Sequence, residues 1–119
     1  MNSGISLQCL AVLGLLVAPW AGSAADAADP AERYAIGRDL LDAGSPEQAL
    51  PVFDELVHGY PDNADYWLAR GITLARLGRD TEALADLDRA ISLAPDYEDA
   101  WQWRHRVLVR SDDAATLER

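Results

Sequence analysis

The chain has no lysine, a single cysteine and only two histidines, and its first 25 residues carry no Asp, Glu, Lys or Arg. Each scarcity removes a class of explanation. Cys9 follows Gln8 near the start of an apolar run, not a small residue at its end, so it lacks the placement of a lipid-attachment cysteine. One cysteine closes no disulfide within the chain, and stability has to come from packing. His58 and His105 are too far apart for metal-ligand spacing, and His58 near a helix end fits a favourable dipole interaction. The acidic pairs Asp54-Glu55, Asp86/Asp88 and Asp112-Asp113 lack the glycine-containing loop of a calcium site. No nucleophile motif or phosphate-cradling loop is present. The expectation is a protein with no catalytic residues, no metal and no cofactor.

What the chain has is acid. Twenty acidic residues face ten basic ones, all arginine, for a net charge of −10. That charge repels nucleic acid phosphates and anionic membranes, so neither is expected as a partner. All of it lies after residue 25. The segment before it contains the run Leu7–Ala18, then Pro19 and the small residues Ala21-Gly22-Ser23-Ala24-Ala25. An apolar stretch followed by small residues is the layout of a secretory signal peptide, with cleavage after Ala24 or Ala25. A permanent membrane span needs roughly 20 apolar residues, more than this run supplies. The segment lacks the usual basic residues at its start, and retention as a short anchor is the other reading. The expected location is periplasmic or secreted, in a bacterial setting, with no membrane contact once the signal is removed.

The remaining chain matches itself at an offset of 34 residues. Ala35 meets Ala69, Gly37 meets Gly71, Leu40 meets Leu74, and Gly44 meets Gly78. Ala49-Leu50 meets Ala83-Leu84, Asp54 meets Asp88, and Pro61-Asp62 meets Pro95-Asp96. The register continues with Asp65 on Asp99, Trp67 on Trp101, Arg70 on Arg104 and Leu74 on Leu108. A fixed period of this length marks a stacked repeat. Each unit reads as two helices, over about 30–43, 45–59, 64–77, 80–93 and 97–110. Asp29-Pro30-Ala31-Glu32 and the box Ser45 to Gln48 open the first two helices, and Asn63 and Asp96 are expected caps further on. Gly44 and Gly78 are expected stops. Pro51 falls inside the second helix, where a kink or a loose first turn is expected. Short loops make neighbouring helices antiparallel.

These residues resemble the tetratricopeptide repeat, a helix–turn–helix of the same period. The second unit fits best, with Trp67, Gly71, Leu74, Gly78, Ala83, Leu87, Ala90 and Pro95. The first carries Gly37, Leu40, Gly44, Ala49, Phe53, Leu56 and Pro61, with Arg33 in the aromatic slot. The third keeps Trp101 and Leu108 but has His105 in place of the glycine. The resemblance implies an all-α array, an α-solenoid of two full repeats plus a C-terminal capping helix. The division is a signal peptide at 1–25, a linker at 26–29, a repeat domain at 30–110 and a polar tail at 111–119. Within the domain the repeats are 30–63 and 64–97, and the cap is 98–110.

The resemblance further implies a non-catalytic module that binds a protein or peptide segment on its concave face. Inner positions carried over from the family are Tyr34, Arg38, Leu41 and Asp42, then Asp65, Leu68, Ile72 and Arg76, then Asp99, Trp103, Arg106, Val109 and Arg110. The candidate partner-binding set is Tyr34, Arg38, Leu68, Ile72, Arg76, Trp103, Arg106 and Arg110. Arginine beside tyrosine and tryptophan is the composition of binding hot spots and suits a segment bearing carboxylates. The competing reading has these arginines pairing with neighbouring Asp and only solubilising the surface. Arg70 and Arg104, one residue before the close-packing position, read as structural. Some relatives clamp terminal carboxylates with Lys and Asn, whereas the matching slots here hold Tyr34, Arg38, Ala69, Asp99 and Trp103, so that clamp is not expected. A self-associating structural protein, forming a homo-oligomer, and an accessory subunit of an envelope assembly remain alternatives.

Overall fold

The computed structural model describes residues 29–117, and the signal segment read in 1–25 lies outside them. Five helices follow one another: α1 Pro30–Asp42, α2 Pro46–Gly59, α3 Ala64–Arg76, α4 Asp80–Leu93 and α5 Glu98–Leu117. Loops of three or four residues separate them. Chain connections that short return each helix antiparallel to the one before. Among the described residues the helices therefore stack as α1–α2 and α3–α4 followed by α5, with α1, α3 and α5 running in one direction.

The ends of the helices have local causes. Asp29 accepts the Ala31 amide at 3.0 Å, and Asn63 accepts the Asp65 amide at 3.0 Å. Gly44 and Gly78 take φ of 81° and 79°. At those angles the next amide turns back: Ser45 N–H donates to the Leu40 carbonyl and Arg79 N–H to the Leu74 carbonyl, each at 2.9 Å. A side chain at either glycine would strain that closing turn.

Three expectations need correction. The Ser45 hydroxyl makes no cap bond; its carbonyl accepts the Gln48 and Ala49 amides instead. Tyr97, not Asp96, sits at the start of α5, its carbonyl accepting from Ala100 and Trp101. The last helix, expected to end near residue 110, runs on through Leu117, so the polar stretch 111–117 is helical. Pro51 lies within α2, as expected, and the helix runs on to Gly59. It is exposed, so its ring lies outside the core.

Packing follows the repeat. Phe53 and Leu87 occupy the same register and are fully buried. Each lies against a glycine of the preceding helix. A Cβ on Gly37 would come within 2.6 Å of the Phe53 ring, and one on Gly71 within 3.1 Å of Leu87. Around Phe53 gather Leu41, Ala49, Leu56, Val57, Tyr66 and Ala69; around Leu87 gather Leu68, Leu74, Ala75, Ala83, Ala90, Ala100 and Val107. Trp67 and Ile72 pack against both clusters and join them into one core.

The Gly37→Ala substitution tests this packing. Alanine improves helix propensity by about 1 kcal/mol. Forcing the Phe53 ring from a filled core costs about 1–3 kcal/mol, which outweighs it. The urea midpoint should fall, and should fall less for Gly71→Ala, where the neighbour has more room. A midpoint for Gly37→Ala at or above that of the wild type contradicts the packing described here.

Candidate functional site: a groove across α1, α3 and α5

The parallel helices α1, α3 and α5 line an open groove of about 240 Å³. Helix α1 contributes Tyr34, Arg38, Leu41 and Asp42; α3 contributes Leu68, Ala69, Ile72 and Arg76. Tyr97, Asp99 and Trp103 complete it from the third unit. A space of this size accepts one or a few side chains of a partner rather than a folded surface. Six of the eight candidate residues therefore share one concavity: Tyr34, Arg38, Leu68, Ile72, Arg76 and Trp103.

Arg106 and Arg110 are outside it. The Arg106 guanidinium stacks over the Trp103 ring at 5.1 Å. Arg110 pairs with Asp80 and donates to the Ala75 carbonyl at 2.9 Å. That second bond repeats one made 34 residues earlier, where Arg76 donates to the Leu41 carbonyl at 3.0 Å. Register places Arg106 and Arg110 on the inner side of α5, but Arg110 also pairs with Asp80, a carboxylate for which Arg76 has no counterpart among the described residues.

The remaining arginines divide cleanly. Arg70 grips Asp86 with two bonds, 2.7 and 2.8 Å, and reaches Asp54 at 3.2 Å. Those hydrogen bonds, chiefly to Asp86, raise the Arg70 pKa further. Arg104 repeats the second contact on Asp88 at 2.7 Å. Arg33, standing where the next unit has Trp67, pairs with Glu55 at 2.5 Å. Trp67 and Trp101 each donate an indole N–H to a proline carbonyl, Pro61 at 2.7 Å and Pro95 at 2.8 Å. The structural role expected for Arg70 and Arg104 matches these contacts.

Among the described residues Arg38, Arg76, Arg89 and Arg106 have no carboxylate within 4.0 Å, and of these Arg38 and Arg76 line the groove. Arg38 donates to the Tyr34 hydroxyl at 3.3 Å, a contact that raises its pKa and keeps it charged. Both side chains are exposed and use one nitrogen each in the bonds above, and a guanidinium has five N–H donors.

Tyr97 was not among the residues expected in the groove. Its hydroxyl donates to Asp65 at the first turn of α3, tying the start of α5 to that helix. The signal was a break in the repeat: Tyr97 stands in the register of Asn63, which caps α3 with its own side chain. A tyrosine is too long for that bond and reaches across instead. Of the two histidines, His58 donates through Nδ1 to the Asp54 carbonyl at 2.6 Å. His105, in the register of the close-packed Gly71, is exposed because no following helix covers that face among the described residues. No cluster of three or more metal-ligating side chains occurs among the described residues.

The tetratricopeptide repeat family model matches residues 34–98, more than half of the chain. The chain belongs to the tetratricopeptide repeat family. DnaJ homolog subfamily C member 3 of Rattus norvegicus is 33% identical over 91 residues, covering 76% of this chain. The chain spans only 18% of that relative's length. A tetratricopeptide repeat domain protein from Salinibacter ruber is 26% identical with a TM-score of 0.60, over 66% of this chain and 96% of that one. The TPR2B-domain:pHsp70 complex of yeast Sti1 superposes with a TM-score of 0.68 over 73% of this chain and 70% of that one, at 22% identity. That last likeness is one of fold.

Tyr97 provides a titration test. Burial first, and the hydrogen bond to Asp65 second, push its hydroxyl well above the ordinary tyrosine value of 10.0. A raised value means that the folded chain holds this proton more tightly than the unfolded chain. Its contribution to stability is thus complete below about pH 10 and is lost as the pH climbs beyond it. In an ultraviolet absorbance titration, Tyr97→Phe should remove one late-ionising tyrosine. An unchanged late phase in that variant refutes the assignment.

Proposed function

We propose that this chain is a non-catalytic interaction module that acts in the cell envelope after export and holds a segment of a partner protein in the α1–α3–α5 groove. The observation that carries the reading is the placement of Arg38 and Arg76, without carboxylate partners, beside Tyr34, Ile72 and Trp103 in one concavity. Arginine and aromatic side chains gathered in a pocket supply large contact area and directed donors, which is how a few residues dominate binding. Domains of this family generally serve as interaction modules, and the yeast Sti1 domain above is seen with pHsp70. Export rests on the uncharged, apolar segment 1–25 and its small-residue end. Among the described residues no helix is long and apolar enough to cross a membrane.

One observation favours a second reading, self-association. Trp101 and Val109 on α5 are 48% and 45% exposed, and Ile36 on α1 is 54% exposed. Light scattering across a concentration series separates the two: a monomer at every concentration removes self-association.

Two measurements test the main proposal. Expressed with a C-terminal tag in a Gram-negative host, the chain should be recovered from the periplasm with a mass that begins at Ala25 or Asp26. Recovery of the full-length chain in the cytoplasm overturns the export reading. Affinity capture from the native envelope should yield a partner that the Arg38→Ala/Arg76→Ala variant loses while its circular dichroism stays unchanged. Equal capture by that variant removes the groove from the interaction.

A further inference from the structure

Charge in the groove is sorted by position along the helices. Arg38 lies one turn before the end of α1, and Arg76 is the last residue of α3. Asp99, which lines the groove, is the second residue of α5; Asp65, the second residue of α3, stands just outside the lining and is hydrogen-bonded to the lining Tyr97. Because α1, α3 and α5 run in the same direction, the arginines gather at one end and the aspartates at the other. Asp42 also lines the cationic end, which keeps a net positive charge with Asp42 counted. Between the two ends the floor is apolar, made by Leu68, Ile72 and Trp103.

The separation has a size. Eleven residues divide Asp65 from Arg76, and at 1.5 Å per residue that is about 16 Å. The screening length at physiological salt is about 8 Å, so the two ends act on a bound segment almost independently. The remainder of the molecule sets a second condition. A net charge of −10 repels a wholly acidic segment before it reaches the two arginines. A wholly basic segment is drawn in but meets Arg38 and Arg76 directly.

We infer that the groove takes a polypeptide segment whose charges are segregated by sign, with acidic side chains on Arg38 and Arg76, an apolar middle on Leu68, Ile72 and Trp103, and basic side chains beside Asp99 and Asp65. The inference rests on the groove reading above and adds the chemistry of the occupant. About eleven residues of helix or about five of extended chain span the required distance. Opposite charges at both ends fix the register and direction of the segment, and like charges placed there reject the wrong partner.

The test uses three labelled peptides of equal length with the same apolar centre, measured by fluorescence anisotropy at physiological salt. One carries an acidic block and a basic block on either side of the centre. The second is its isomer with the same charges interleaved. The third is basic throughout. The segregated peptide should bind about tenfold more tightly than its isomer, and Arg38→Ala/Arg76→Ala should weaken it by about tenfold. Asp99→Asn should weaken it less, since Asp65 remains. Equal binding of the two isomers, or preference for the basic peptide, overturns the inference. Loss of all binding in Trp103→Ala, with helical content retained, would in that case leave the groove reading standing. Absence of binding by every peptide overturns both.

Discussion

The structure depends on how closely α1 can approach α2, and α3 can approach α4. At each crossing a glycine meets a fully buried large side chain, Gly37 with Phe53 and Gly71 with Leu87. The missing Cβ sets the separation of the two helices. That separation sets where Leu41, Leu56, Leu74 and Ala83 close the core, and so the angle at which the next unit is laid down. The third unit has His105 at this position, and among the described residues no helix covers it. A packing rule enforced by one atom thus extends through two units and stops.

A second layer of contacts fixes one unit on the next. Burial alone lets packed helices slide, because apolar contacts have little direction. Directed bonds remove that freedom, and they recur at the same period. The Arg70–Asp54 and Arg104–Asp88 pairs join the units on one face. The indole bonds of Trp67 and Trp101 hold the loop that precedes each helix. On the inner side, Arg76 and Arg110 donate to carbonyls at the end of the preceding inner helix. Among the described residues five arginines thus pair with six of the twenty acidic residues of the chain.

Much of this was legible in the sequence. The 34-residue offset, the two glycine stops and the proline-bounded loops are local signals, and the structure follows them to within a few residues. The family resemblance and the all-α stacking followed from them. What could not be read was set by distance rather than by pattern. The inner face of a helix can be assigned from register, but whether an arginine on it stays in the groove depends on whether a carboxylate lies within its reach elsewhere. Arg110 found Ala75 and Asp80 and left the groove, while Arg38 found only the Tyr34 hydroxyl. Tyr97 was missed because it occupies a cap position, where a short polar side chain is the usual reading. The Ser45 box failed for a similar reason: the residue types were correct, but the backbone carbonyl took the role of the hydroxyl.

Arg76 belongs to both layers. One nitrogen holds the end of α1 to α3, and the same guanidinium lines the groove. The joint between units and the floor that a partner would touch are therefore one mechanical element. A group that drew this guanidinium away from the Leu41 carbonyl would remove one directed bond between the first unit and the second. Among the described residues the same two units are also joined by Arg70 and Asp54 on the opposite face, so a change at Arg76 would loosen the inner side of the joint and leave the outer side fastened.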